Sequence, residues 1–438
     1  MDEGPDENAF YKQVVSRKYL ISTVRRFAPS VFVVISQSFF HFGTFVSNMF
    51  LIRGLEPESF GSYAIIMGLL LYAMNLYFAL VIYPLTLHLA AIGANAADLL
   101  GSGIVTGLAF SLPLGVLVLI AGLLVSDAVT AILAACALII WHAQFAVSRI
   151  LLIQQRYISA AVGDAIASLG MAAGLIICFS FESLSVRTPF LILIFTASLA
   201  FIFQGRQCNL RLQNLYINGV LFGQLWRIGR FALFGMFGEG IAAQLLIWAL
   251  LLTHGKPAVA AYVAMRSLVG FSQPITSSVV SLVVPAVARS RSQADVRKSV
   301  IDGVVIAVPL ILASFCIFLI LAVFAAPLVQ FFYGTDKGYT EGIELLRLLA
   351  FFSTVHVLAE CCSGILRGLQ RVQIEAKAQL VSSGAGILVG LPLVALMGPI
   401  GGAFLTGVAA TCRFFLGLLA ITNTLRDKTG SRTPFAKG

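Results

Sequence analysis

The stretch SGILRGLQR, residues 363–371, decides how this chain is organised, because the related stretch SRILLIQQR lies at residues 148–156. Five of the nine aligned positions are identical (Ser, Ile, Leu, Gln and Arg). Each stretch also follows an apolar run that contains one histidine, His142 or His356. A motif that recurs after about half the chain indicates two copies of one structural unit.

Other matched pairs keep the same order and a similar offset. They are Arg26-Phe27 with Arg230-Phe231, Pro57 with Pro257, Tyr63 with Tyr262, Pro84 with Pro285, and SGIV at 102 with DGVV at 302. A single match can arise by chance, whereas ordered pairs at nearly constant spacing favour an internal repeat. The sequence therefore predicts two halves of similar fold.

The composition predicts an integral membrane protein. Hydrophobic residues make up 59% of the chain and charged residues only 11%, and the mean hydropathy is +0.95. The apolar runs have the length that a helix needs to cross a hydrocarbon core of roughly 30 Å. The ten-residue alternating segments typical of membrane β-barrels are absent from the sequence. We therefore expect an all-α polytopic membrane protein.

The apolar runs predict twelve spans in two pseudo-symmetric six-helix bundles. The spans are placed at about 28–52, 61–86, 101–125, 128–147, 158–181, 187–204, 231–252, 258–284, 301–326, 345–366, 378–398 and 402–424. The predicted organisation is a cytoplasmic amphipathic segment at 1–27, an N-terminal bundle at 28–204, a cytoplasmic linker at 205–230, a C-terminal bundle at 231–424 and a cytoplasmic tail at 425–438. Six spans per half relate the halves by a pseudo-two-fold axis along the membrane normal, with a seam between them.

The distribution of Lys and Arg predicts the orientation. The segments on the N-terminal side hold 22 of the 29 basic residues, the opposite loops hold four, and three lie in spans. By the positive-inside rule both termini are expected in the cytoplasm. Residues 1–27 are not expected to be a cleaved signal peptide, because the apolar run that follows is too long for one.

The sequence offers no sign of an enzyme. The patterns GxxxxGK[ST], HExxH and GxSxG are absent, and the predicted outer loops are too short for a soluble catalytic domain. The seven cysteines are scattered, with no CxxC pattern and no histidine at ligand spacing, so neither a disulfide framework nor a metal site nor a cofactor is expected. The net charge of +10 is better explained by topology than by nucleic-acid binding.

Ionisable residues at membrane depth are the informative ones, because a charge at a helix centre costs roughly 2.5–3.5 kcal/mol unless it is paired, hydrated or functional. The candidates are His41, Arg53, Asp164, Glu239, Arg266, Glu360 and Arg413. His41, Glu239 and Arg266 belong to the first two spans of their halves. If those four spans face one another across the seam, they line a polar cavity that contains cations.

Each candidate also has a structural explanation. Arg413 can pair with Glu360 inside the second half, Asp164 is near a span end, and His41 can be a hydrogen-bonded packing residue. Arg266 favours a function, because it lies well inside an apolar run. The arginines of the repeated motif are expected either to anchor helix ends near lipid head groups or to receive a phosphate at the inner entrance; they are Arg149, Arg156, Arg367 and Arg371.

The chain resembles the polysaccharide flippases, the O-antigen and exopolysaccharide translocases of the multidrug/oligosaccharidyl-lipid/polysaccharide exporter superfamily. The resemblance rests on RFAPSVFVVISQSFFHFGTFVSNMFLIRGLEPESFGSYAI at 26–66, with its Arg-Gly-Leu-x-Pro-x-x-Phe-Gly-x-Tyr turn, and on the SxILxxxQR repeat. It covers essentially the whole chain.

The resemblance implies a V-shaped pair of bundles whose first two spans line a central cationic cavity. It implies alternating-access transfer of an undecaprenyl-pyrophosphate-linked oligosaccharide to the outer leaflet of a bacterial inner membrane, for surface polysaccharide synthesis. Arg53, Arg266 and Arg413 are then the candidate substrate-binding residues, and Glu239, His41, Asp164 and Glu360 the candidate gating or ion-coupling residues. Implied partners are the lipid-linked oligosaccharide, membrane lipid, and polysaccharide polymerase and chain-length proteins, with the chain itself a monomer.

Two alternatives remain open at this point. One is an H+- or Na+-coupled drug or metabolite exporter of the same superfamily, which should present acidic residues to a cationic solute. The other is a scaffold that transports nothing and organises a polysaccharide synthase complex. Two further spans found in lipid II flippases are not found here, and span 1 lacks the in-span basic residue of some relatives.

Overall fold

The structure is a computed structural model that describes residues 38–92, 97–208, 216–293, 295–335 and 337–426. The regular elements in those ranges are helices and no strand. They are α1 (38–54), α2 (Pro57–Tyr77), a π-helical segment (Phe78–Ile82), α3 (Tyr83–Ile92), α4 (Ala97–Val125), α5 (Ala128–Ile153), α6 (Tyr157–Ser180), α7 (Thr188–Gln207), α8 (Gly219–Gly270), α9 (Gln273–Gln293), α10 (Val296–Val323), α11 (Ala325–Tyr333), a 3-10 turn (Tyr339–Gly342), α12 (Ile343–Gly368), α13 (Val372–Met397) and α14 (Pro399–Arg426).

The predicted all-α membrane fold is confirmed. Hydrocarbon offers no hydrogen-bond partners to backbone groups. A helix avoids this cost because its N–H and C=O groups bond to one another within the same segment. Among the described residues, ten helical stretches are long and apolar enough to cross a membrane. They overlap every predicted span after the first. The stretch Gly240–Gly270 contains most of the predicted span 231–252 and the first part of the predicted span 258–284, which is interrupted after Gly270 and continues in α9. The predicted span 28–52 begins outside the described residues, and only its end is seen, as α1.

The long helix α8 is a hairpin of two spans. Gly255 has φ of 79° and ψ of −178°, a conformation that glycine adopts readily and other residues do not. A Cβ at Gly402 would lie 2.9 Å from Leu246 Cδ1 and 3.0 Å from Tyr262 Cε2. In a straight helix those two side chains would be about 24 Å apart. The chain therefore reverses at Gly255. The first arm, α8a (219–254), contains the predicted span 231–252, and the second arm, α8b (256–270), contains only the first part of the predicted span 258–284.

The repeated motif folds identically in both halves. It ends α5 in the first half and α12 in the second, and the glutamine at each end, Gln155 and Gln370, has φ of 61°. The same two hydrogen bonds, a Schellman motif, close each helix. They are Arg156 N to Leu151 O (2.9 Å) with Gln155 N to Leu152 O (3.1 Å), and Arg371 N to Leu366 O (2.9 Å) with Gln370 N to Arg367 O (3.0 Å).

Each half packs mainly on itself, and α8 joins the two. In the first half α5 packs on α4 and α7, and α6 packs on α7. In the second half α14 packs on α12 and α13, and α10 packs on α9 and α12. α8 packs on α13 of its own half and also on α2 and the π-helical segment of the other half. We call the side at which α5 and α12 end the predicted inner side, and the opposite side the predicted outer side.

Replacing either motif glutamine, Gln155 or Gln370, by glycine should stabilise the protein. Both are exposed and both hold the left-handed conformation, which disfavours any residue with a Cβ. Replacing Gln155 or Gln370 by Gly should raise the free energy of unfolding by about 1 kcal/mol per site. Thermal unfolding in detergent measures this. Gln155→Ala and Gln370→Ala keep the Cβ and serve as controls that should show no gain; equal gains for Ala and Gly would contradict the explanation.

Candidate functional site

Four helices form a closed ring at the seam between the halves. α1 meets α8b, where Asn48 Nδ2 donates a hydrogen bond to Ser267 Oγ at 3.0 Å. α2 meets α8a, where Gln244 Nε2 donates to the carbonyl of Gly68 at 3.0 Å. The consecutive pairs α1/α2 and α8a/α8b close the ring. Among the described residues, the first two spans of one half therefore contact those of the other across the seam.

Arg266 is exposed and faces the interior of this ring. Ser267, one residue on and about 100° around the helix, faces α1. Tyr262, four residues earlier and about 40° around the other way, contacts α14 beside Leu246 of α8a. Around the helix axis, Arg266 lies between the side of α8b that faces α1 and the side that lies beside α8a. Because α1 and α8a are the neighbours of α8b in the ring, the side between them faces the ring interior. It makes no hydrogen bond or ion pair with any described residue.

The ring interior is filled toward the predicted outer side and open toward the predicted inner side. Val259 lies on the same stripe of α8b as Arg266, about 10 Å nearer the outer end, and is 0% exposed. Arg266 is exposed, and Gly270, one turn further inward, has open space where its Cβ would be. An arginine in a packed seam would be a buried, unpaired charge, whereas this one borders open space.

Polar contacts close the predicted outer side. Arg53, at the end of α1, donates from Nε to the carbonyl of Phe332 at 2.8 Å and from its terminal nitrogen to the carbonyl of Phe331. These carbonyls belong to the last turn of α11, where the helix dipole favours a cation. Lys337 Nζ donates in the other direction, to the carbonyl of Leu55 at 2.7 Å. We call these contacts the outer latch.

Two ion pairs lie beside the outer latch. Lys337 is 3.7 Å from Glu56, and Lys256 is 4.0 Å from Glu58. Both glutamates are about three-quarters exposed, so these pairs add little energy. All the latch contacts join the α1/α2 turn to the second half, so opening the predicted outer side requires breaking them.

Arg413 and Glu360 lie in a buried ionic network inside the second half. Arg413, 6% exposed, donates to Glu360 at 2.7 Å and to Glu375 at 3.4 Å. Arg367 donates to Glu375 at 2.7 Å, and His356 lies 3.8 Å from Glu360. The expected Arg413–Glu360 pair is thus confirmed. Two arginines balance two carboxylates between α12, α13 and α14.

Asp164 occupies a comparable position in the first half. Its Oδ1 accepts hydrogen bonds from Gln144 Nε2 at 3.1 Å and from Gln204 Nε2 at 3.5 Å. These residues join α5, α6 and α7, as the ionic network joins α12, α13 and α14. The placement favours a structural role for Asp164 and for Arg413, and we leave both out of the proposed binding set.

The other two candidates lie on helices of the ring. His41 is half-buried on α1 and meets the ring of Phe40 edge-on at 5.5 Å. Glu239 is on α8a, but its side chain lies outside the described part of the structure. Gating or ion coupling by either residue therefore stays a prediction. Among the described residues, no group of three or more His, Cys, Asp or Glu is placed to hold a metal ion.

One feature of the ring was not predicted. α2 continues into the π-helical segment Phe78–Ile82, a rare conformation that often occurs at functional sites. Just before it, Tyr77 stacks on His142 of α5 with ring centroids 4.2 Å apart. His142 Nδ1 is 2.8 Å from Ser111 Oγ, and its Nε2 has no partner among the described residues. Hydrophobic periodicity does not distinguish a π turn from an α turn. Pro84 is the one local signal, because a proline cannot donate to the carbonyl four residues before it, which here is that of Leu80 within the segment.

No protein-family model and no curated protein sequence matches this chain. Solved structures match over most of its length. An inward-facing MATE-family multidrug resistance transporter of the MOP superfamily has a TM-score of 0.71 and 16% identity, over 87% of this chain and 95% of that one. The lipid II flippase MurJ in an inward closed conformation has 0.68 and 12%, over 90% and 87%. The MATE multidrug transporter DinF-BH, solved in a ligand complex, has 0.66 and 15%, over 93% and 96%.

At these identities the comparisons show the fold. The chain has the two-bundle fold of MOP-superfamily transporters, a fold found in both a multidrug transporter and a lipid II flippase. The predicted fold is thus confirmed, while membership of the superfamily and of its polysaccharide branch stays a proposal.

The buried ionic network predicts a large effect from Arg413→Leu. The substitution leaves Glu360 and Glu375 buried without the cation they share, which typically costs roughly 3–5 kcal/mol. Thermal or chemical unfolding in detergent measures it. Arg347→Ala is the control, since Arg347 pairs with Glu344 at an exposed helix end, and it should lose less than about 1 kcal/mol. Equal losses would show that the network contributes no more than a surface pair.

The outer latch predicts a change in accessibility. The reporter is a single cysteine, Ser267→Cys, in a cysteine-free background. Adding Arg53→Ala should raise the rate at which a membrane-impermeant maleimide labels this cysteine from the predicted outer side by about tenfold. The reason is that charge-assisted bonds across the seam are lost. Arg187→Ala is the matched control: it breaks an exposed pair with Asp127 within the first half. Unchanged labelling in Arg53→Ala would show that Arg53 does not hold this side closed.

Proposed function

We propose that this protein is a flippase that moves an anionic, lipid-linked head group, an undecaprenyl-pyrophosphate-linked oligosaccharide, from the cytoplasmic to the outer leaflet for surface polysaccharide synthesis. The observation that carries the proposal is Arg266, an exposed arginine that faces the interior of the ring and has no partner among the described residues. A permanent cation at this depth is costly unless it is hydrated or meets an anion.

The chemistry of a diphosphate fits this arrangement. A diphosphate cannot enter hydrocarbon without losing its hydration, and an arginine supplies a fixed charge with forked donors that match phosphate oxygens. The polyprenyl tail needs no protein cavity, because it can stay in the bilayer while the head group passes between helices of the ring. The transporter then has to solvate only the head group.

The contacts of the ring support alternating access. The outer latch joins the halves on one side, while the stripe of α8b opens toward the other side below Val259. Release to the outer leaflet requires the latch to break and the predicted inner side to close. The pseudo-symmetric halves offer a natural axis for that motion, because both consist of the same packed unit.

Arg53 takes a different place in this proposal from the one the resemblance implied. Its guanidinium is bound to two carbonyls of α11 in the closed outer side. We infer that it stabilises the closed state and becomes available to the head group only after the latch breaks.

The second candidate is a coupled exporter of cationic solutes. It is supported by the fold, which the chain shares with a multidrug transporter solved in a ligand complex. A cationic solute would be repelled by Arg266 and would need an acidic partner in the ring, for which Glu239 is the sequence's candidate. The charge facing the ring favours the anionic substrate. A scaffold that transports nothing would tolerate neutral substitution at Arg266.

Transfer of a fluorescent polyprenyl-diphosphate oligosaccharide across proteoliposomes tests the proposal. The intact chain should move it, and Arg266→Ala should lower the initial rate about tenfold or more, because a charge-assisted contact to the head group is lost. Arg347→Ala, an exposed arginine outside the ring, should keep the full rate. If the same vesicles export a small cation and do not transfer the lipid, the flippase proposal is wrong and the exporter is the supported function.

A further inference from the structure

The face of α5 that packs toward the ring helices continues to the predicted inner side. Trp141 stacks on Phe40 of α1 with centroids 6.3 Å apart, and His142 stacks on Tyr77 of α2. Arg149 follows His142 after two turns and lies only about 20° away around the helix. Exposed side chains at the opposite face of α5, Val129 and Cys136, lie about 140–160° away. Arg149 therefore belongs to the face toward α1 and α2 and not to the lipid-facing one.

Arg149 lies deeper toward the predicted inner side than Arg266. It is 21 positions after Ala128, where α5 starts at the outer side, which corresponds to about 30 Å of helix. Arg266 is 11 positions after the outer turn at Gly255, or about 16 Å. A head group that enters from the inner side would thus meet Arg149 about 15 Å before Arg266.

The guanidinium of Arg149 lacks an acceptor among the described residues. It lies 4.5 Å from the centroid of the Phe145 ring, and its Nε is buried without a hydrogen-bond partner. It attracts Asp164, but no carboxylate oxygen in the described structure lies within 4.0 Å. Asp164 Oδ1 instead accepts from the amides of Gln144 and Gln204. Arg149 is thus a cation near the end of a membrane span whose charge is only partly compensated.

Two of the other three arginines of the repeated motif differ in this respect. Arg156 donates to the carbonyl of Gln207, and Arg367 is paired with Glu375. Their donors are used in holding helices together, whereas Arg149 stacks one face of its guanidinium on an aromatic ring and keeps its N–H edges for another partner. The side chain is partly exposed, so a ligand can reach it.

We propose that Arg149 is a second anion site, which binds the phosphate of a lipid head group at the inner end of the ring before that group reaches Arg266. This inference rests on the proposed function and adds a place of first capture. The chemistry that fits is a phosphate or diphosphate ester, because its oxygens match the forked donors of a guanidinium. Such an ester can belong to the polyprenyl-diphosphate substrate or to an anionic membrane phospholipid.

Binding measurements on the full chain in nanodiscs of neutral lipid test this. The probe is a fluorescent short-chain prenyl diphosphate. Arg149→Gln should weaken its binding about tenfold or more, and Arg149→Lys, which keeps the charge, should restore part of it. Arg156→Gln is the matched control, because it removes a motif arginine whose donors are already used. Each variant must first match the wild-type midpoint of thermal unfolding. If Arg149→Gln does not fold, the comparison of Arg149→Lys with the wild type carries the test.

The second arm separates the two sources of phosphate. Retention of phosphatidylglycerol by the purified chain is measured by native mass spectrometry for the same variants. Weaker prenyl-diphosphate binding in Arg149→Gln assigns the site to the substrate, and a loss confined to phosphatidylglycerol assigns it to membrane lipid. If Arg149→Gln binds the prenyl diphosphate and phosphatidylglycerol as the wild type does, the Arg149 site is overturned. If Arg266→Gln nevertheless loses prenyl-diphosphate binding, the proposed function stands without the Arg149 site. Absence of prenyl-diphosphate binding by the wild type overturns both.

Discussion

The cost of a charge in hydrocarbon is the constraint on which the rest of this structure depends. Every ionisable side chain within the spans has to be paired, wet or matched to a ligand. Arg413 is paired, since it is held between Glu360 and Glu375 inside the second half. Arg53 binds the carbonyls at the end of a helix. Arg266 has neither solution among the described residues and faces the ring instead. This one criterion separates the arginines whose donors hold helices together from Arg266, whose donors are unused among the described residues.

The internal repeat explains why the seam exists. The two halves end their fourth and tenth predicted spans with the same closing hydrogen bonds and with glutamine in the same left-handed conformation. Each half also has a polar cluster that joins its last three helices, around Asp164 in the first and around Arg413 in the second. The clusters differ in chemistry, because one uses amides and the other uses ion pairs. Two units that are each held together by their own polar cluster can move against each other with little change inside either unit.

The ring combines tight and weak contacts. Toward the predicted outer side it is packed around Val259 and joined by the outer latch, whose bonds end on backbone carbonyls at the turn after α1 and at the end of α11. Toward the predicted inner side the stripe below Arg266 is open, and the π-helical segment that follows α2 packs on α8. Opening the outer side therefore requires two changes: the hydrogen bonds of the outer latch have to be exchanged for water, and the apolar packing around Val259 has to separate.

The sequence by itself determined the fold class, the repeat and the short set of residues that can matter, because hydrophobic length and charge cost act locally along the chain. That α1, α2 and the arms of α8 meet at the seam was only implied by the resemblance, and the contacts between these helices come from the tertiary structure. Only the tertiary structure decided which arginine is used for what. Arg413 and Arg266 look alike in sequence, as charges inside apolar runs, and they differ because one has carboxylates from two other helices beside it and the other has none among the described residues. The same holds for Arg149 and Arg367 of the repeated motif: a carboxylate on α13 neutralises Arg367, while amides from α5 and α7 occupy Asp164 beside Arg149. Such partners are distant in sequence, so no local pattern predicts them.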